Sequence, residues 1–205
     1  MRRRSFLTLA AIALTPSLAT AAAAMSDDRF WTIIDRTARF ESQPDRQAEA
    51  LRSELSVLTA SEVAAFDATF EQQMRRAYHW DLWGAASVAN GGASDDGFVY
   101  FRLWLVSKGR RAFEQTLGDP DSLADLKASP GPDGVYEFEA FGYVARKVLA
   151  AKGIGDGAGL PDGDPTPTRP RGDEFKDDPA WLAAHYPKLW RRFGNHPLGS
   201  KVGLY

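Results

Sequence analysis

The sequence has 205 residues and a formal net charge of −2, and 44% of the residues are hydrophobic, including six tryptophans. This length and composition predict one packed globular domain rather than a disordered chain. The acidic balance argues against nonspecific binding to nucleic acids or anionic membranes, and the lack of cysteine excludes disulfides, thiolate metal sites and cysteine catalysis.

The first 24 residues have the pattern of an export signal. Three arginines at positions 2 to 4 precede an uncharged stretch rich in Ala and Leu, which ends in small residues suited to signal peptidase. Residues 3–7 also resemble the twin-arginine motif, whose cargo crosses the membrane already folded. We therefore expect a removable leader, a periplasmic protein and no membrane segment after cleavage. The alternative is a cytoplasmic protein whose translation starts at Met25.

Beyond the leader, apolar residues recur at helical spacing and predict a chain made almost entirely of helices. The third helix should be long, because its apolar stripe runs from Val63 to Ala89, where Gly91 and Gly92 follow. The expected helices begin at Asp27 or Asp28, at Pro44 or Asp45, at the capping box of Thr59 and Glu62, at Ser94 or Asp95, at Arg110, at Asp119-Pro120 and at about Tyr136.

The densest apolar run of the chain follows Ser94 and contains a single charge, Arg102. Every other residue from Phe98 to Val106 is apolar or aromatic, which predicts a helix that is buried on all sides and ends at Gly109. A guanidinium group cannot escape burial by losing its proton, so Arg102 requires an anionic or carbonyl partner.

That partner is not evident from the neighbouring sequence. Asp95 and Asp96 lie about two helical turns before Arg102, which is marginal for direct pairing. We therefore expect the partner of Arg102 to be another part of the chain, such as Asp81 or Asp35, or else a ligand.

The segment 153–174 is rich in Gly, Asp and Pro and predicts a flexible strap. Asp178-Pro179 should start a last helical piece, which Pro187 interrupts and whose aromatic residues require burial against the main body. The prediction is an all-α, compact multi-helix single domain. Its parts are a leader at 1–24, a helical core at 25–152, the Pro/Gly-rich strap at 153–174 and a C-terminal helical segment at 175–205.

Several motifs along the chain occur together. They are Phe30-Trp31, Ala77-Tyr78, Leu82-Trp83, the block from Ser94-Asp95-Asp96 to Trp104-Leu105, Gly109-Arg110, Asp119-Pro120 with Ser122-Leu123, and Pro187-Lys188-Leu189-Trp190. Through these motifs the sequence resembles a mostly bacterial family known as domain of unknown function 4240. The resemblance covers about Asp27 to Phe193. The resemblance implies a mainly helical fold, and it implies no activity, substrate or catalytic residue.

Two sets of charged residues are candidates for a site. Asp95 and Asp96 could bind a divalent cation or act as an acid and base pair, although helix capping explains them as well. Arg102 could hold a carboxylate or phosphate through two hydrogen bonds, with a structural ion pair as the alternative.

Aromatic residues and one histidine complete the candidates. An aromatic groove could be lined by Trp80, Trp83, Tyr100 and Trp104, although aromatic residues at helical spacing more often form a core. His79 is the only histidine expected to carry a proton, and the three histidines are too far apart in sequence to predict a zinc site. The sequence contains no Gly-x-Ser-x-Gly and no phosphate-binding loop, so we assign no catalytic residue, cofactor or metal.

Three functions are consistent with these patterns. The first is a noncatalytic binding or interaction module, which takes a small acidic ligand or a peptide in an aromatic groove near Arg102. The second is a hydrolase or transferase that uses Asp95 or Asp96 as its base with help from His79 or Arg102. The third is an assembly protein with exposed aromatic residues near Trp181 and Trp190.

Overall fold

The computed structural model describes residues 25–155 and 167–201, which form an all-α single domain as the sequence predicts. The predicted leader, residues 156–166 of the predicted strap and residues 202–205 of the predicted C-terminal segment lie outside this description. The α-helices are α1 (Asp27–Ala38), α2 (Pro44–Ser56), α3 (Ala60–Arg76), α4 (Trp80–Asn90), α5 (Asp95–Ser107), α6 (Arg110–Gly118), α7 (Glu139–Gly142), α8 (Val144–Ala151), α9 (Pro179–His185) and α10 (Pro187–Leu189). Shorter helical turns span Pro120–Asp125, Trp190–Gly194 and Leu198–Lys201.

Local capping explains where the early helices begin. Ser26 caps α1 by accepting a hydrogen bond from the first turn, so the expectation that Asp27 or Asp28 would be the cap is wrong by one position. Both aspartates lie instead in the first turn, where their charge favours the helix dipole. Thr59 and Glu62 form the predicted capping box at the start of α3.

The predicted long third helix is wrong, because the chain breaks between α3 and α4. His79 is extended at the break, with φ −145° and ψ 152°, and its Nδ1 accepts a hydrogen bond from the Leu82 amide at 3.3 Å. The flanking backbone pairs with Arg171. The amide of Trp80 donates to the Arg171 carbonyl at 3.0 Å, and the Arg171 amide donates to the Tyr78 carbonyl at 3.1 Å. A distant segment therefore satisfies the groups that a continuous helix would have paired.

The helix predicted from Tyr136 to Leu149 is also divided. Tyr136 precedes it in an irregular stretch, where its amide donates to Asn90 Oδ1 at 2.9 Å. The amide of Phe138 donates to the Tyr100 carbonyl at 3.1 Å, which ties the same stretch to α5. The helix then starts at Glu139 as α7 and continues beyond Tyr143 as α8.

Helix α5 lies at the centre of the domain, where it packs against α1, α3, α4, α6 and α7. Ser94 caps it by accepting a hydrogen bond from the Gly97 amide at 3.2 Å. Phe101 and Trp104 are completely buried, in agreement with the apolar pattern of the sequence. Val99, which is 36% exposed, and Tyr100, which is partly buried, are the exceptions, and both line an open cleft.

The C-terminal segment is part of the same core, in which Leu182, Leu189 and Phe193 are buried. Asp121 holds the start of α10 by accepting hydrogen bonds from the amides of Lys188 and Leu189. Among the helices of the described residues, none has the length and apolar character needed to cross a bilayer.

Candidate functional site

A cleft of about 260 Å³ opens between α3, α5 and the α7–α8 pair. Two of the three large hydrophobic side chains that are exposed in the described residues, Val99 and Tyr143, lie at this cleft. Exposed apolar side chains cost free energy in water, so their presence beside a cleft is a feature of binding sites. The lining consists of Phe70, Glu71, Met74, Arg75, Val99, Tyr100, Arg102, Leu103, Gly142, Tyr143 and Arg146.

Arg102 reaches the cleft from α5 and is only 7% exposed. Its Nη1 donates to the Met74 carbonyl at 2.8 Å, and its Nε lies 3.4 Å from the Phe98 carbonyl. The guanidinium carbon is 4.7 Å from the centre of the Tyr78 ring and 5.0 Å from that of Phe98, which adds cation–π attraction. In the described part of the chain, Nη2 has no hydrogen-bond partner and no carboxylate pairs with this guanidinium.

Arg102 is therefore held by carbonyl groups and aromatic rings and not by an ion pair with an acid. Burial lowers the pKa of Arg102 to about 10, so the side chain keeps its charge at neutral pH. The two acids predicted as possible partners of Arg102 accept hydrogen bonds from other residues. The predicted ion pair of Arg102 with Asp81 or Asp35 is therefore wrong. Asp81 accepts a hydrogen bond from the Tyr186 hydroxyl at 2.8 Å, and Asp35 accepts one from the Arg110 amide at the same distance.

Glu71, Arg75 and Arg146 line the cleft, and a buried carboxylate, Asp67, lies close to Arg146. Arg146 of α8 forms an ion pair with Glu71 of α3 at 3.2 Å, and its Nε is 3.9 Å from Asp67 Oδ2. Asp67 is 5% exposed, and burial raises its pKa to about 6 although Arg146 opposes the change. Arg75 makes no ion pair or side-chain hydrogen bond with another described residue.

Two tyrosines of the cleft lining, Tyr100 and Tyr143, interact with Glu139. The Tyr143 hydroxyl donates a hydrogen bond to Glu139 Oε1 at 3.0 Å, and this bond raises the pKa of Tyr143. Partial burial and the same carboxylate raise the pKa of Tyr100. Both hydroxyls therefore stay protonated at physiological pH and remain hydrogen-bond donors.

Two of the predicted site residues, Asp95 and Asp96, lie outside the cleft. Both are exposed in the first turn of α5, where their charges favour the helix dipole. The N-cap of α5 is Ser94, which is one of the two residues predicted as the start of this helix. In the described residues, no group of three or more His, Asp and Glu side chains is arranged to hold a metal ion.

Trp83 and His79 are also separate from the cleft lining. Trp83 is 8% exposed and stacks between Trp80 and Phe98, with ring centres 5.0 and 4.7 Å away. Its Nε1 donates to the Ala93 carbonyl at 2.8 Å, so it belongs to the core. His79 caps α4, and burial lowers its pKa.

The aromatic residues proposed for an assembly surface are only partly exposed. Trp181 and Trp190 are half-buried against the core. Trp181 also stacks on His185, with 3.5 Å between the ring centres. Trp181 and Trp190, as far as the structure describes this segment, therefore expose only part of their aromatic surface.

The structure thus brings Arg102 and Tyr100 together and adds residues that sequence reasoning missed. Asp67, Glu71 and Arg75 follow one another at intervals of four residues on α3. This charged stripe lies beside the apolar stripe that includes Phe70, and it was visible in the sequence. It could have indicated a charged surface on α3. The role of Arg146 had no comparable signal, because it depends on how α8 packs against α3.

A second cleft, of about 320 Å³, lies between α1 and α2. Its arginines are exposed. Arg36 pairs with Glu54, while Arg39 and Arg46 lie over the ring of Phe40 at 4.8 and 4.9 Å. None of the charged residues that line this cleft is buried. Substitutions in it can therefore serve as controls for substitutions in the first cleft.

The model of a family described as "Protein of unknown function (DUF4240)" matches residues 25–150, which include every residue that lines the first cleft. The comparisons with curated proteins and with solved structures gave no match.

Proposed function

Because the chain belongs to the DUF4240 family, whose description assigns no activity, we propose a function from the cleft: noncatalytic binding of a small ligand that has an anionic group and an apolar body. The observation that carries this proposal is the state of Arg102. It is a buried charge that lines an open cleft, and no carboxylate of the described residues forms an ion pair with it, although Glu71 of the same lining attracts it. Buried cations normally have an anionic partner, and a ligand can supply one.

The lining favours one orientation of such a ligand. The anionic group would accept a hydrogen bond from Arg102 Nη2 and would lie near Arg75. The apolar body would cover Leu103 and the exposed side chains of Val99 and Tyr143. The lining contains three arginines and one glutamate, so the charge also favours an anion. The cleft volume is near the lower limit of typical small-molecule sites, which favours a compact ligand.

The first experiment measures binding of phenylacetate, hexanoate and octanoate to the purified protein by calorimetry and thermal shift. The corresponding neutral amides are the ligand controls, because they keep the apolar body and lack the charge. We expect the carboxylates to bind and the amides to bind about tenfold or more weakly, as for loss of a charge-assisted hydrogen bond. Equal binding of amides and carboxylates would refute the role of the charge.

Three variants test the position of the site. Arg102→Lys keeps the charge and a donor for the Met74 carbonyl but loses the second edge of the guanidinium, so we expect a folded protein with weakened binding. Arg75→Gln changes the rim of the cleft and should weaken binding without affecting the core. Arg39→Gln, in the second cleft, is the matched control and should bind like the parent. Unchanged affinity in both cleft variants would show that the ligand binds elsewhere.

The two alternative functions have less support. Acid and base chemistry at Asp95 or Asp96 would require assistance from His79 or Arg102, yet His79 is engaged as a helix cap and Arg102 faces the cleft. An assembly surface at Trp181 would have little exposed aromatic area.

We also propose that residues 1–24 direct export through a twin-arginine pathway, as their pattern indicates. The test replaces both Arg3 and Arg4 by lysine in the full chain and measures the protein in periplasmic and cytoplasmic fractions. Export of the parent and retention of the variant are expected. A parent chain that stays in the cytoplasm would support translation from Met25.

A further inference from the structure

Asp67 is a buried carboxyl group with an unusual set of contacts. It is 5% exposed, and it accepts no hydrogen bond from another described residue. Its nearest cation is Arg146, whose Nε is 3.9 Å from Oδ2. Arg146 is half exposed, lines the ligand cleft, and also pairs with Glu71 at 3.2 Å. One arginine at the cleft is therefore shared by a buried carboxylate, Asp67, and a half-exposed one, Glu71.

The charged groups that act on this carboxyl come from α3 and α8. On α3 itself, Glu71 is the neighbouring charge and raises the pKa of the buried group. Helix α8 contributes Arg146, and Arg102 of α5 interacts with Glu71. Helix α1 also packs on α3, but its charged residues Asp27 and Arg29 contact other positions, at Gln73 and Glu62.

We propose that protonation of Asp67 releases Arg146 to the cleft, so that the cleft takes up an anionic ligand together with one proton. The inference rests on the proposed function, because the negative charge of the ligand is what responds to Arg146. It adds a regulation of the same site, in which mildly acidic conditions favour capture and neutral conditions favour release.

The physical chemistry of the cluster supports this coupling. Burial raises the pKa of Asp67 to about 6, so both forms are populated between pH 5 and 7. When Asp67 is ionised, two carboxylates compete with the ligand for Arg146. When Asp67 is protonated, Glu71 alone remains, and the net charge beside the cleft is more positive by one. By linkage, a bound anion must raise the pKa of Asp67 to the same extent that the proton strengthens binding.

The experiment compares the parent with Asp67→Asn, using phenylacetate as the probe at pH 5.5 and 7.5 and constant ionic strength. The parent should bind about fivefold more tightly at pH 5.5, as for one charge removed near the ligand. Asp67→Asn should bind phenylacetate with the same affinity at both pH values, and this affinity should equal that of the parent at pH 5.5. Glu71→Gln, on the same helix, should keep a pH dependence but move its midpoint to lower pH, because Glu71 raises the pKa of Asp67.

A second measurement tests the switch without any ligand. The Nε–Hε resonance of Arg146 should shift with a midpoint near pH 6 in the parent and stay constant in Asp67→Asn. A pH dependence of binding that persists in Asp67→Asn would overturn the proposal, and so would an Arg146 resonance that does not change between pH 5 and 8. Failure of phenylacetate to bind the parent at either pH would count against the proposed function, and the resonance would still decide the switch.

Discussion

Replacement of Asp67 by Asn should stabilise the folded protein at neutral and alkaline pH. The side chain is buried, and the cost of removing its charge from water exceeds the attraction of Arg146 at 3.9 Å. Asparagine has nearly the same shape and no charge, so it removes this cost. Because asparagine is neutral at every pH, it can be buried without taking up a proton.

The magnitude follows from the pKa of Asp67, which burial raises from 3.8 to about 6. This difference corresponds to about 3 kcal/mol of unfolding free energy. Because the folded protein holds the proton more tightly than the unfolded chain, the parent loses stability as pH rises from about 4 to above 6. Near pH 3 both states are largely protonated and this group contributes little. Asp67→Asn should therefore be more stable by up to about 3 kcal/mol at pH 8 and nearly equal to the parent at pH 3.5.

Urea denaturation of both proteins at pH 3.5, 6 and 8 measures this difference, since effects of the other titrating groups cancel between them. Glu71→Gln is the control on the same helix, and loss of its half-exposed ion pair should change stability by less than about 1 kcal/mol. An Asp67→Asn protein that is less stable than the parent at pH 8 would refute the reasoning. A difference that persists unchanged at pH 3.5 would also do so, because it would show an origin other than the charge.

Three further substitutions test the framework around the cleft. Ser94→Ala removes the cap of α5 and should cost about 1 kcal/mol in urea denaturation; no loss would show that the cap is dispensable. Trp83→Ala should cost about 3–5 kcal/mol, because it leaves a cavity in the stacked core, and a loss below about 1 kcal/mol would contradict that packing. Gly109→Ala should cost at least about 2 kcal/mol, since φ is +89° and a Cβ would meet Asp35. Gly118→Ala, where a Cβ meets nothing, is its control and should be neutral.

Local patterns predicted most of the helical fold. The capping box at Thr59 and the glycine after α5 are short-range signals, and both lie where the sequence placed them. The break before α4 had no such signal, because His79 is neither Gly nor Pro. It depends on backbone pairing with Arg171, a residue far along the chain. Helix propensity alone could not predict a competitor so distant in sequence.

The candidate site was predictable only in part, for a similar reason. A charge inside an apolar helix singled out Arg102, and the structure places it in the lining of the cleft. Its main partner is the carbonyl of Met74, which every residue possesses and no sequence pattern reveals. The contact between Asp67 and Arg146 depends on the packing of two helices that are separated in sequence by α4 to α7.

Arg102 connects the stability of the fold with the chemistry of the cleft. The Met74 carbonyl is near the C-terminal end of α3, where the helix dipole is negative, and two aromatic faces add further attraction for a cation. These contacts satisfy one edge of the guanidinium and fix α5 against α3. They do not neutralise its charge, which persists at the cleft because the pKa remains near 10. A carboxylate partner from the chain would have stabilised the charge equally well, but it would have occupied the position that an anionic ligand requires.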